Sequence, residues 1–169
     1  MSNVDALDEQ TLVRAVHQMV RSKNFIKRNP ELTEDDISHL LSADIQWPDK
    51  PVFSPYTQTH DGYSQIRIEG AKHLIHRVTY KQHFNTQING SDVSHCLYLG
   101  NQTTLNVNPL HLTLENNFSN QTRKFCFHYL DTTVRATGRI PSEGELTMCR
   151  TVHSEYPCMV DIKYIINKV

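Results

Sequence analysis

One stretch of this 169-residue chain combines residue types that suit phosphodiester chemistry. It runs from residue 92 to residue 126 as DVSHCLYLGNQTTLNVNPLHLTLENNFSNQTRKFC and contains His95 and Asn120. An imidazole with a pKa of about 6.5 can accept a proton from water at neutral pH, and a general base contributes about 10²–10⁴-fold to a rate. An amide oxygen is a hard, neutral ligand for Mg²⁺. The two residues can therefore supply a base and a metal ligand to one phosphodiester.

The surrounding sequence predicts elements that would position this pair. Val93 opens a short strand that carries His95, and a long polar connection follows it. Residues 108–112, NPLHL, lead into a second strand, and the asparagines from residue 116 onward begin a helix that carries Asn120. We therefore expect a strand, loop, strand and helix in that order.

Two helices are predicted upstream. Apolar residues recur at helical spacing between residues 5 and 24, where Asp5 or Asp8 can lie at the N-terminus. A second helix is expected from Thr33, because residues 33–36, TEDD, resemble a capping box with Asp as its third helical residue. The proline-rich segment 47–55 predicts an extended linker.

A local basic surface is predicted between these helices and the His95 strand. Residues 63–68 alternate like a strand, Glu69-Gly70 suits a tight turn, and residues 72–84 have helical spacing. This segment contains the candidate nucleic-acid contacts, which are Arg67, Lys72, His76, Arg77 and Lys81.

Composition limits the class of protein. The net charge is -1 and the pI about 6.8, so no global positive field indicates nucleic acid. The hydrophobic share of 38% predicts one modest core with another stabilising feature. No apolar run is long enough to span a membrane and no leader pattern opens the chain, so we expect a nuclear or cytoplasmic protein with no membrane partner. We expect one domain, with a helical extension at 1–50, a core at 60–125 and a tail region at 126–169.

Five motifs in this order resemble the HNH or His-Me finger nucleases, which have a ββα-metal site. They are Gly62-Tyr63-Ser64-Gln65-Ile66, His76-Arg77, Asp92-Val93-Ser94-His95, Asn108-Pro109-Leu110-His111-Leu112 and Asn120. Within that group the chain is most similar to the His-Cys box homing endonucleases. The resemblance covers about Gly62 to Gln121, and later cysteines extend it to about Cys158.

The resemblance implies roles for individual residues. His95 matches the general base, and Asn120 matches the ligand of a single catalytic Mg²⁺, since Asn120 comes nine positions after His111 as in the family. Arg67 or Arg77 would contact the scissile or a neighbouring phosphate. Cleavage would leave 5′-phosphate and 3′-hydroxyl ends.

The loop after His95 departs from the family pattern. His-Cys box enzymes bind a first zinc there through two cysteines, the NPLHL histidine and a distant cysteine. This loop has Cys96 directly after His95 and no other cysteine before Cys126. We therefore expect the first zinc site to be absent, with His111 hydrogen-bonding across the loop and leucines packing in place of the metal.

A second zinc site is predicted near the C-terminus. Cys149, His153 and Cys158 have near-ligand spacing, and Cys126 can complete a Cys₃His tetrahedron. His128 is an alternative ligand, and two disulfides are the alternative use of the four cysteines. Residues 131–145, with two glycines and a proline, are predicted to form a hairpin or loop inserted into this site.

The C-terminal residues 159–169 are strand-like and apolar. Left unpaired, such a strand favours association, and in the family that the chain resembles it is exchanged between the subunits of a homodimer. The predicted fold is α+β with a ββα-metal core. The predicted function is Mg²⁺-dependent DNA cleavage, and the resemblance to homing endonucleases implies a specific target site. The alternatives are a non-catalytic zinc-containing DNA-binding module of the same fold, and an RNA-directed or toxin nuclease.

Overall fold

The structure, a computed structural model, describes residues 3–161. Within this range the chain is mixed α/β with three small two-stranded sheets. Its elements, besides short 3₁₀ turns, are α1 (Glu9–Val20), α2 (Phe25–Arg28), α3 (Glu34–Leu40), β1 (Gln65–Ile68), β2 (Ala71–Leu74), α4 (Ile75–Phe84), β3 (Asp92–His95), β4 (Leu97–Tyr98), β5 (Leu112–Glu115), α5 (Asn117–Thr137), α6 (Thr147–Val152) and β6 (Met159–Val160).

Both predicted N-terminal helices are confirmed, with caps that explain where they begin. Asp8 accepts a 2.7 Å hydrogen bond from the Thr11 backbone at the start of α1. At the start of α3, Thr33 and Asp36 form the reciprocal capping box, at 3.1 and 2.9 Å. Asp5 does not cap α1, because its carboxylate accepts from the backbone of residues 88 and 89 instead.

Strands β1 and β2 form a hairpin on a two-residue turn. Glu69 and Gly70 both have positive φ, 50° and 83°, as a type I′ turn requires. The predicted helix over 72–84 is therefore wrong in its first turn, because Lys72 to Leu74 pair with β1 and the helix begins at Ile75.

The region around His95 has the predicted order of elements. β3 pairs antiparallel with β5, with His95 opposite Leu112 and Asp92 opposite Glu115. Helix α5 follows β5 after one residue and packs against β3. Separately, β4 pairs in parallel with β6 near the C-terminus.

Helix α5 is longer than predicted. It continues to Thr137 and ends at Gly138, whose positive φ of 68° suits a helix C-terminus. The predicted hairpin or loop over 131–145 is therefore wrong in its first half. Leu130 and Val134 are buried along this extension, and an Arg135–Asp131 ion pair spans one turn of it. Burial of that face outweighs the loop signal of the glycines that follow.

Buried side chains form two clusters among the described residues. The larger cluster joins α1, α3 and α4 to the β1–β2 and β3–β5 sheets. The smaller one consists of Leu130, Leu146, Cys149 and Cys158. Between residues 3 and 161, no helix is both long enough and apolar enough to cross a membrane. Of the predicted C-terminal strand, only Met159–Val160 is seen as strand; residues 162–169, and with them the predicted dimer contact, lie outside the described residues.

Candidate functional site

The amide of Asn120 is held against β3 on both of its sides. Asn116 caps α5 by accepting a 2.8 Å backbone hydrogen bond, so the helix starts directly after β5 and Asn120 falls in its first turns. The Ser94 hydroxyl donates to Asn120 Oδ1 at 2.7 Å. Asn120 Nδ2 donates to Asp92 Oδ2 at 3.0 Å. Asn120 therefore contacts the residue that directly precedes His95.

The imidazole of His95 lies in a stack of rings. Its centroid is 4.6 Å from that of His76 and 5.9 Å from that of Tyr63. His95 is only 8% exposed, and this burial lowers its pKa to about 4, so that the ring is neutral at pH 7. Among the described residues, none hydrogen-bonds to His95 Nε2. That nitrogen is therefore buried without a hydrogen-bond partner among the described residues.

The two cations of the β1–β2 hairpin lie on its exposed face. Arg67 and Lys72 are directly opposite each other in the strand register. The Arg67 guanidinium donates to the Gly70 carbonyl at 2.9 Å. Like charges directly opposite on paired strands repel, so an anion bound beside both would stabilise this face.

The remaining predicted nucleic-acid contacts are directed into the protein. Arg77 donates to two backbone carbonyls within residues 88–91, at 2.9 and 3.3 Å. Lys81 is buried and lies 3.3 Å from the Asp5 carboxylate. His76 is buried in the ring stack, where burial, and then the charges of neighbouring groups, hold its pKa well below its usual value. The predicted basic surface is thereby narrowed to Arg67 and Lys72.

The four predicted zinc ligands lie together. The ligand atoms of Cys126, Cys149, His153 and Cys158 are all within 4.8 Å of one another. His153 Nδ1 is 3.4, 3.7 and 3.8 Å from the sulfur atoms of Cys126, Cys149 and Cys158. Ligands of a tetrahedral zinc, with bonds of about 2.3 Å to sulfur and 2.0 Å to nitrogen, are about 3.6 Å apart. The geometry therefore fits a Cys₃His metal site.

The alternatives to this ligand set are not seen. The thiols of the four cysteines, all of which lie within the described residues, are free. His128 is exposed on α5 and does not belong to the cluster. The Cys126 thiol has its pKa lowered to about 6, first by its hydrogen bond with Cys158 and further by His153. A thiol that ionises easily suits a metal, because the thiolate is the ligand.

The outer nitrogen of His153 connects the metal site to the start of α5. His153 Nε2 is 3.2 Å from the Ser119 carbonyl oxygen and 3.0 Å from Thr122 Oγ1. With Nδ1 facing the sulfur atoms, Nε2 carries the proton and donates, as histidine ligands of metals commonly do. Ser119 directly precedes Asn120, so the metal site supports the helical turn that carries the amide.

Arg123 provides a second connection between the two sites. Its buried guanidinium makes a bidentate ion pair with Glu115, at 2.6 and 2.8 Å, and lies 3.2 Å from Cys158 Sγ. Burial alone would lower the pKa of Arg123, but the hydrogen bonds with Glu115 raise it, so the side chain stays charged. Its positive charge is placed to balance both Glu115 and the thiolates.

His111 and Cys96 occupy the region where the resembled family has its first zinc. His111 Nδ1 is 3.0 Å from Asn106 Nδ2, and its Nε2 is 3.2 Å from the Asp49 carbonyl. The prediction that His111 hydrogen-bonds across the loop is confirmed. Cys96 is buried, and burial raises its thiol pKa to about 12. Among residues 3–161, the Cys₃His cluster is the only group of three or more histidine, cysteine or acidic side chains placed to hold a metal.

Sequence reasoning missed three residues of the site, namely Asp92, Glu115 and Arg123. Arg123 is three positions after Asn120, so helical spacing alone would have put it on the same face. Asp92 and Glu115 become neighbours only through the β3–β5 register. That register depends on the length of the loop between the strands, which the sequence pattern does not set.

Comparisons with protein-family models, with curated proteins and with solved structures found no match to this chain.

Proposed function

We propose that this protein is a metal-dependent DNA endonuclease of ββα-metal type, in which His95 is the general base and Asn120 binds a single divalent cation. The observation that carries the proposal is the buried, unpartnered Nε2 of the neutral His95 ring at the end of β3, next in the chain to Ser94, whose hydroxyl contacts Asn120. The order of β3, β5 and α5 supports it, since this is the arrangement that the resembled nucleases imply.

The residues near Asn120 suit a hard cation. The Oδ1 atom of Asn120 and the Ser94 hydroxyl offer oxygen atoms of the kind that Mg²⁺ prefers. A bound Mg²⁺ would stabilise negative charge on the phosphate and the leaving oxygen. The Asn120 side chain would hold and orient that cation.

His95 would act on the attacking water. Its Nε2 accepts a proton as the water oxygen bonds to phosphorus, the bond from phosphorus to the 3′ oxygen breaks, and that oxygen takes a proton from solvent. A phosphate anion beside the ring would raise the pKa of His95 from about 4 toward neutral pH, where a base is most effective. The exposed pair of Arg67 and Lys72 would bind backbone phosphates.

Plasmid nicking tests the proposal. The wild-type protein is expected to nick supercoiled DNA only with Mg²⁺, and His95→Ala to lose about 10²–10⁴-fold in single-turnover rate while still binding DNA. His128→Ala, which removes an exposed histidine outside the site, is the matched control. For Asn120→Ala, higher Mg²⁺ is expected to recover part of the rate.

Each other outcome identifies a different function. DNA binding without cleavage by the wild-type protein would indicate a non-catalytic DNA-binding module. Cleavage of RNA alone would indicate an RNA-directed nuclease. An unchanged single-turnover rate in His95→Ala would remove His95 from the mechanism.

A further inference from the structure

Asp92 makes contacts that the proposed mechanism leaves without a role. It stands at the start of β3, where its Oδ2 atom accepts two hydrogen bonds, from Asn117 Nδ2 and from Asn120 Nδ2, each 3.0 Å long. The two asparagines are three positions apart in the first turns of α5, so they share one helix face. A single carboxylate oxygen thus holds two amides of the helix.

This contact determines which way the Asn120 amide is turned. A carboxylate only accepts hydrogen bonds, whereas an amide has a donor side and an acceptor side. With Nδ2 bound to Asp92, the oxygen of Asn120 must face the other way, toward Ser94 Oγ. The reversed amide would bring its oxygen against the carboxylate oxygen, which repels it.

Asp92 also has a second acid and a tyrosine in its surroundings. Directly opposite it in the β3–β5 register is Glu115, whose charge is balanced by Arg123. On its other side, the negative charge of Asp92 acts on Tyr63, where it adds to burial in raising the pKa of the hydroxyl. The Tyr63 ring stacks on His95. The Asp92 carboxylate therefore holds Asn120, and its charge also acts on the Tyr63 hydroxyl.

We propose that Asp92 is a positioning residue, which fixes the Asn120 amide so that Oδ1 is presented to the divalent cation. This inference rests on the proposed function, since it requires a cation at Asn120. The role belongs to the position of the acceptor oxygen and not to the charge of the carboxylate. Changing the partner that orients a metal ligand typically lowers metal affinity by 10–100-fold.

Two substitutions separate acceptor position from charge. Asp92→Asn removes the charge but keeps an oxygen where Asp92 has one, so its affinity for cation is expected to stay within about threefold of wild type. Asp92→Glu keeps the charge but moves the oxygens by one methylene, and is expected to weaken affinity by about 10–100-fold. Asp92→Ala should resemble Asp92→Glu, and Asp61→Ala is the control for removing an exposed acid outside the site.

The measurement is a titration of the full chain with Mn²⁺, following paramagnetic broadening of the side-chain amide and ring resonances of Asn120 and His95 by NMR. A second readout is the Mg²⁺ concentration at half-maximal plasmid nicking, which should rise for Asp92→Glu and not for Asp92→Asn. A role for Asp92 in folding alone would leave the Mn²⁺ midpoints of all folded variants equal.

The outcomes also distinguish this inference from the function on which it rests. If the His95 ring resonances of Asn120→Ala and of the wild-type protein are broadened alike, no cation binds at Asn120 and the proposed function fails with it. If Asn120→Ala abolishes broadening but Asp92→Glu binds Mn²⁺ as wild type does, only the positioning role is overturned. Weakened affinity in Asp92→Asn together with wild-type affinity in Asp92→Glu would assign the effect to charge and would also overturn the positioning role.

Discussion

The two buried clusters of this protein are built in different ways. The cluster around α1 and α4 is apolar throughout and includes large, fully buried side chains such as Phe25 and Met19. The cluster around α5 and α6 has four buried members among the described residues, and two of them are cysteines. The second region also exposes most of the large apolar side chains, among them Phe118, Phe125 and Met148. The first region can be stabilised by burial alone, whereas we expect the second to depend on a metal at its Cys₃His cluster.

The sharpest test of this difference is removal of the metal. We predict about one zinc per chain, and its loss should unfold residues 117–160 while leaving the α1–α4 region folded. Structural zinc in small domains has an apparent binding free energy of about 10–16 kcal/mol at pH 7, more than the small cluster supplies. Elemental analysis gives the stoichiometry, and hydrogen exchange measured by mass spectrometry compares the two regions with and without a chelator.

Cysteine variants give the matched control for that experiment. Cys149→Ser removes a ligand, whereas Cys96→Ser changes a buried cysteine outside the cluster. Only the first should lower zinc content. Two zincs per chain would mean that the loop after His95 contributes a second site, and no zinc together with lost thiols would favour disulfides.

The second prediction concerns the ion pair that links the two regions. Arg123→Met leaves Glu115 buried without its cation, and we expect a loss of about 3–5 kcal/mol in unfolding free energy. Arg135→Met breaks an ion pair of the same helix that is much more exposed, and is expected to cost about 0–1 kcal/mol. Urea unfolding monitored by circular dichroism measures both. Equal losses would show that Arg123 is not the link between the regions.

The third prediction is that low pH destabilises the region around α1 and α4, because this region buries several histidines. Burial lowers the pKa of His73, His76, His95 and His111. A depressed histidine pKa means that the unfolded chain binds protons first. The contribution to stability is therefore complete above the unfolded value of about 6.5 and is lost as pH falls toward the folded value. For His95, with a folded pKa of about 4, this amounts to about 3 kcal/mol.

A variant isolates this contribution from loss of zinc, which acid also causes. The unfolding free energy of His95→Gln should depend less on pH between 7 and 4.5 than that of the wild-type protein, because zinc release is common to both. Parallel pH curves for the two proteins would rule out a depressed pKa at His95.

The sequence predicted the order of the elements and the Cys₃His ligand set better than it predicted where the elements begin and end. The His95 strand, the second strand and the Asn120 helix are local patterns, and so is the ligand spacing from Cys149 to Cys158. The errors arose where residues distant in the sequence determine whether a segment is strand, helix or loop. Lys72 to Leu74 are strand because β1 supplies their hydrogen bonds, and α5 extends past residue 131 because Val134 is buried in the folded protein.

The sequence also could not predict whether a charged side chain is exposed or buried. Lys81 has the same helical sequence context as a surface lysine. Only the fold brings Asp5, which precedes α1, next to Lys81 on α4. The same holds for Arg77, whose carbonyl partners belong to the loop before β3. Basic residues that are adjacent in sequence therefore need not form one basic surface.

The smallest predicted effect is on the salt dependence of DNA binding, and it tests which of the basic residues form the DNA-binding surface. If the proposed function holds, log K for duplex DNA should fall with log salt by about 0.9 per phosphate neutralised. Arg67→Ala and Lys72→Ala should each flatten this slope by about one unit, because both cations are exposed on the hairpin. Arg77→Ala and Lys81→Ala should leave the slope unchanged and lower thermal stability instead, because their hydrogen bonds are made inside the protein.

A flatter slope for Lys81→Ala would mean that Lys81 leaves Asp5 to bind DNA. Unchanged slopes for Arg67→Ala and Lys72→Ala would reject the hairpin as the DNA-binding face.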